Sequence, residues 1–146
     1  QVLTNNFALA VYLVTNGNCR VVLPGGDVYR EQSMIVSPYE RDTMIDHFYA
    51  STLFIGAQAI RPQGLIEGDP LLIKAEQKLI KQADRIVALV DGSKFVPRSS
   101  FIVCPLERLN HVVTDDTAPI EALEMLARAG IGTTVVAAET STGDAT

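Results

Sequence analysis

The stretch DPLLIKAEQKLIKQADRIVALVDGSK, residues 69–94, decides how this chain is read. Asp69-Pro70 opens a helix, because aspartate accepts hydrogen bonds from the unpaired N–H groups of a first turn and proline is preshaped for the first helical position. Along the helix Leu72, Ala75, Leu79 and Ala83 recur at helical spacing, broadened by Ile73 and Ile80, and form the expected packing stripe. Lys74, Lys78 and Lys81 fall on the other side. Arg85 to Val90 then runs without a polar break and stops at Asp91-Gly92, as strands do in parallel sheets covered on both faces. Helix, doubly buried strand and small polar loop together make one αβ unit.

The same grammar extends outward in both directions. Val2–Thr4 reads as a strand, and Asn5 or Asn6 caps a helix carrying Leu9, Ala10, Leu13 and Val14, broken by Asn16-Gly17-Asn18. Arg20–Leu23 is a short β-branched run that ends at the Pro24-Gly25-Gly26 corner. Asp27–Asp46 has weak periodicity and is expected to be an extended arm with a helical turn or two. Ser51–Ala57 is a further strand ending near Gly56, and Phe101–Cys104 and His111–Thr114 are two more. Pro119 opens a helix with Ile120, Leu123, Leu126 and Ala127 as its apolar stripe and Gly130 at its end, and Thr133–Ala138 is a last strand. Alternating strands and helices predict an α/β fold with a mostly parallel sheet flanked by helices. Residues 1–138 are expected to form one domain, and the polar tail 139–146 has little to bury and is expected to be disordered.

Composition narrows the function classes. A chain of 146 residues, 47% hydrophobic and 20% charged, is long enough to bury a substantial core. A net charge of −5 argues against direct nucleic-acid binding by these residues, since phosphate backbones select basic faces. Cys19 and Cys104 lack metal-ligand spacing and suit a reduced, cytoplasmic protein with packed thiols. His47 and His111 are isolated from any such spacing, so no metal site is expected. No apolar run reaches membrane-spanning length, and no membrane association is expected. Gln1 followed at once by strand-like residues suggests a chain that begins inside a larger protein.

Ligands of open parallel sheets collect beyond the carboxyl ends of the strands. Here those ends carry Thr4-Asn5-Asn6, Gly25-Gly26, Gly56-Ala57-Gln58 and Asp91-Gly92-Ser93-Lys94, small or polar residues with one cation. A lysine after Gly-Ser can pair with a phosphate whose oxygens are solvated by nearby N–H groups. The start of the Pro70 helix also suits an anion, with Asp69 serving as its cap. Neither a dinucleotide glycine fingerprint nor a Walker loop is present, so no nucleotide cofactor of those kinds is implied. No serine, cysteine or threonine has a nucleophile context.

Taken in order, Phe54-Ile-Gly-Ala-Gln-Ala59, Gly64-Leu65 with Asp69, Ala75-Glu76-x-Lys78 and Asp91-x-Ser93-Lys94-Phe95 resemble the C-terminal sensor domain of DeoR-family transcriptional repressors. Val2-Leu-Thr-Asn5, Leu23-x-Gly25-Gly26 and Val113-Thr-Asp115 extend the likeness over nearly the whole chain. The resemblance implies a fold similar to ribose-5-phosphate isomerase and the CoA transferases, reused for sensing a phosphorylated sugar or polyol. It implies a pocket lined by Asn5, Gly56, Gln58, Asp69, Glu76, Lys78 and Lys94, with Lys94 on the phosphate and the amides and carboxylates on hydroxyl groups. It further implies a homodimer or higher homo-oligomer that meets DNA only through an N-terminal winged helix-turn-helix absent from these residues, and no catalysis and no cofactor. The family's phosphate loop, Asp-x-Gly-Ser/Thr-Thr, is also absent, and its usual Gly-Pro is Ser37-Pro38 here. The competing reading is a sugar-phosphate isomerase or deaminase on the same fold, with Asp69 or Glu76 as the base.

Overall fold

The computed structural model describes residues 1–37, 44–97 and 100–138. The tail 139–146 and the proline of Ser37-Pro38 lie outside the described residues. Among these residues the backbone clusters into two compact units, one from Gln1–Ala50 with Leu71–Gln82 and the other from Ser51–Pro70 with the segment that starts at Ala83.

In the first unit, β1 (Val2–Leu3) pairs in parallel with β2 (Val21–Val22), and α1 (Phe7–Asn16) makes the crossover that parallel neighbours require. The Asn6 side chain accepts from the Leu9 N–H at 2.8 Å and caps α1, and Gly17 ends it. Of the apolar stripe expected on α1 only Ala10 is buried, whereas Leu9 and Val14 are exposed, Val14 by 71%. This helix is apolar nearly all round, so spacing alone does not select its packing side. The described part of the Asp27–Asp46 arm is a hairpin of β3 (Asp27–Tyr29) and β4 (Met34–Val36) followed by a 3-10 turn at Met44–His47. Helix α2 runs Pro70–Lys81 and buries Ile73, Ala75 and Ile80. It stops two residues before Ala83, which begins a strand instead of ending the helical stripe.

The second unit carries the main sheet, β5 (Ala50–Ile55), β8 (Ala83–Leu89), β10 (His111–Asp115) and β11 (Gly132–Val136), in the order β11-β10-β8-β5. β10 pairs in parallel with both β8 and β11, with Val112 opposite Ala88 and Thr133. Between β10 and β11 comes α3 (Ile120–Arg128), which packs on β11 and ends at Gly130 with a φ of 72°. Ala122 and Leu126 are its buried residues, while Ile120, expected in the stripe, is exposed. The α/β fold with a parallel sheet flanked by helices is thus present.

A second, antiparallel sheet of β6 (Ala59–Arg61), β7 (Gly64–Glu67) and β9 (Phe101–Cys104) belongs to the same unit. β6 and β7 form a tight hairpin around Pro62-Gln63, where only a loop or helix is expected from the sequence. Ile60, Leu65, Ile86, Val112 and Leu126 are among the most deeply buried side chains of this unit. Each contributes about 1.5–3 kcal/mol of transfer free energy.

Candidate functional site

The residues singled out in the sequence divide between the units. Asn5, Glu76 and Lys78 belong to the first, and Gly56, Gln58, Asp69 and Lys94 to the second.

Asn5 is held by main-chain hydrogen bonds on both sides. Thr4 N donates to Val22 O at 3.1 Å, prolonging the β1-β2 ladder, and Ile35 N donates to Asn5 O at 2.7 Å, fastening the β3-β4 hairpin to the turn before α1. Asn6 N donates to the Thr4 hydroxyl at 3.0 Å, and Asn6 bridges Met34. So fixed, Asn5 is only 8% exposed, and its Nδ2 is buried with no hydrogen-bond partner among the described residues. A buried donor without an acceptor costs about 1–3 kcal/mol and is an uncommon feature of a folded chain.

A cavity of about 110 Å³ in the same unit is lined by Asn5. Pro24, Ile35, Val36 and Ile45 supply apolar walls, and Ser37 adds a hydroxyl. Leu71, Lys74, Ala75 and Lys78 form the α2 wall. Their spacing of three, one and three residues places them on one helical face. Lys74 and Lys78, expected opposite the packing stripe, therefore line a cavity together with Ala75 of that stripe. Lys78 is half-buried and Lys74 exposed. Glu76 is half-buried on the same helix and is not among the lining residues. Apolar walls with a few convergent polar groups are the usual make-up of a small-molecule site.

In the second unit, Gln58 N donates to Ile66 O at 3.1 Å, and the Gln58 amide lies over Gly68, where an added Cβ would come within 2.9 Å of it. Glu67, buried on β7, accepts through Oε1 from Gly68 N at 2.6 Å and Asp69 N at 3.3 Å. Gln58, Glu67 and Asp69 are in this way drawn together at the entrance to α2. Glu67 is the member that the sequence reading missed, since nothing distinguishes the end of a short strand from a surface position. Gly56 is exposed just past β5, and a Cβ there would meet nothing within 4 Å.

Lys94 lies in the 3-10 turn Gly92–Phe95 that follows β8. Asp91 caps the turn, accepting from Ser93 N at 2.8 Å, and Lys94 N donates to Asp91 O at 3.1 Å. The Asp115 carboxylate, at the end of the neighbouring β10, accepts from Gly92 N and Thr117 N, each at 3.0 Å, and from the Thr117 hydroxyl. Gly92 is required there, because a Cβ would stand 2.3 Å from Thr117 Oγ1. Hydrogen bonds from Ser93 hold the Asp91 carboxyl below its ordinary value, with a smaller contribution from the Lys94 charge. Hydrogen bonds from Thr117 and Gly92 do the same for Asp115, against the like charge of Asp91. The loop that presents Lys94 is thus pinned to the carboxyl end of the sheet by two ionised aspartates.

His111, on β10, shares a 2.8 Å hydrogen bond between its Nε2 and Thr134 Oγ1 of β11. Cys104 is buried and Cys19 half-buried. Among the described residues no group of three or more His, Cys, Asp or Glu side chains is arranged to hold a metal ion, and no helix is long and apolar enough to cross a membrane.

A family model described as the DeoR C-terminal sensor domain matches residues 1–116. Curated relatives described as "HTH-type transcriptional regulator UlaR" align with the chain in Salmonella arizonae, Shigella dysenteriae serotype 1 and Escherichia coli. Each is 28% identical over 131 residues, which cover 90% of this chain and 51% of the relative. The chain spans about half the length of the curated relatives it matches.

Proposed function

Because the chain belongs to the family of DeoR C-terminal sensor domains, we propose that it is the effector-sensing part of a DeoR-type transcriptional repressor, binding a phosphorylated sugar or polyol without catalysis. Its occupancy is relayed to a helix-turn-helix domain of the kind that the relatives' description names. On this reading Asn5, Glu76 and Lys78 of the first unit contribute to ligand binding, as, each taken within its own unit, do Gly56, Gln58, Asp69 and Lys94 of the second. Lys94 takes the phosphate, and the amides and carboxylates take hydroxyl groups. The fold, in this proposal, is that of ribose-5-phosphate isomerase and the CoA transferases turned to sensing.

The observation that carries the reading is the cavity lined by Asn5 and Lys78, two residues the family resemblance marks for the ligand, with the Asn5 amide nitrogen left as an unused donor. A pinned loop that presents Lys94 at the carboxyl end of the sheet supports it, since this is where open α/β sheets bind ligands.

Calorimetry with a panel of pentose, hexose and polyol phosphates tests it. At least one member binds the wild type, and Lys94→Ala weakens that binding by about 1.5–3 kcal/mol, the worth of one charge-assisted hydrogen bond. Equal affinity in the variant removes Lys94 from the site. Measurable isomerisation of any pentose or hexose phosphate of the panel, or deamination of an amino-hexose phosphate added to it, would replace sensing with the enzymatic alternative.

A further inference from the structure

We infer that a cleft of the second unit, between the β6-β7 hairpin and the start of α3, is the centre of a two-fold interface between copies of this chain, with Arg61 of each copy set against Glu121 of the other. The inference concerns residues that play no part in the ligand reading above, and it names a face for an association that the family likeness leaves unplaced.

The cleft has a volume of about 230 Å³, and all its walls belong to one unit. Ile60 and Ala122, both buried, and Phe95 and Met125, both half-buried, make it largely apolar. Next in the chain to lining residues, Val96 is 43% and Ile120 71% exposed. Aliphatic side chains left in water beside an apolar cleft form a surface that gains by being covered. Pro62, Pro97 and Pro119, all exposed, also line the cleft. Proline has no backbone N–H and no side-chain freedom to lose, so covering these positions strands no main-chain donor and orders little. Such walls suit an apolar protein surface and offer little to a sugar, whose hydroxyl groups need hydrogen-bonding partners.

Charge selects the occupant. Arg61 and Glu121 line the same cleft, and among the described residues neither side chain has a hydrogen-bond or ion-pair partner. A face that carries one cation and one anion is complementary to itself, because a two-fold axis between the two positions brings each Arg61 to the Glu121 of the other copy. A surface of a single charge sign would satisfy one of the pair and repel the other. Chains with a net charge of −5 repel one another at a distance, and the two crossed pairs offset this at contact and fix the orientation. The exposed Pro62-Gln63 turn of the hairpin supplies a convex rim for the cleft of the other copy.

Sedimentation of the chain and of three variants tests the interface: Arg61→Glu, Glu121→Arg, and both changes together. The wild type is expected to dimerise. Each single reversal weakens dimerisation about tenfold or more, since like charges then face each other at both contacts. The double exchange restores both pairs without altering the net charge and returns the affinity to within about threefold of the wild type. An equimolar mixture of the two single variants forms a mixed dimer, in which both pairs are again of opposite sign. Wild-type dimerisation in either single reversal, or a double exchange weaker than both of them, overturns the inference. A wild type that stays monomeric at every concentration also overturns it and leaves the cleft to a different occupant. None of these outcomes touches the sensing reading, which the calorimetric panel decides on its own.

Discussion

Asp115 illustrates how much one side chain organises. A single carboxylate oxygen accepts from Gly92 N, at the start of the turn after β8, and from two groups of Thr117, so the loop bearing Lys94 and the turn leading to α3 share one anchor. These bonds favour the ionised form and hold the carboxyl below its ordinary 3.8. A group whose folded pKa is depressed stabilises the fold above its unfolded value and loses that contribution as the pH falls through the folded one. Asp115→Asn is therefore expected to unfold at a lower temperature than the wild type near neutrality, with the gap narrowing as the pH drops below 3.8 and through the lowered folded value. Thermal unfolding followed across that range checks it, and a gap independent of pH would refute the linkage. At this scale the sequence was informative where chemistry and position coincide. Asn5 and Lys78 stood out from the resemblance, and both line the cavity. Lys74 did not, because a lysine opposite an apolar stripe looks like solvated surface until the opposing wall of the cavity is known.

Among the elements, α2 and β8 were legible because their patterns persist for a dozen and seven residues. The β6-β7 hairpin was not, because strands of three and four residues give periodicity nothing to act on. Its signal was the Pro62-Gln63-Gly64 turn. Gly64 adopts a φ of 139°, and a Cβ there would stand 2.0 Å from the Cys104 carbonyl oxygen of β9. Gly64→Ala is expected to cost about 2 kcal/mol or more, from backbone strain added to this collision. Gly56→Ala, which meets open space, leaves stability unchanged or slightly raised. Denaturant unfolding of the pair provides the check, and equal midpoints would show that the hairpin accommodates a side chain at Gly64. The β3-β4 hairpin escaped for a different reason. β3 is exposed throughout, so no burial pattern marks it, and its partner packs only through Ile35 and Val36. That hairpin supplies cavity walls, and the site was consequently less visible in the sequence than the sheet.

For the molecule as a whole, the pattern of alternating helices and doubly apolar strands carried the architecture, and the small antiparallel sheet was lost to it. β9 was expected among the strands, but it pairs with β7 outside the parallel sheet, a choice that its local sequence does not encode. The proposed role in repression also implies self-association, since operator half-sites are read by symmetric dimers. Light scattering of the intact regulator is expected to give a dimer or a larger assembly; a strict monomer across working concentrations would count against that role.

The backbone passes between its two compact bodies three times, after Ala50, after Pro70 and after Gln82. Neither body is a contiguous stretch of the gene, so no single truncation can excise one of them. Dissection calls for circular permutation or for splicing Leu71–Gln82 back onto its own body. A recombination event that exchanged either half of the coding sequence would deliver a helix to the wrong host.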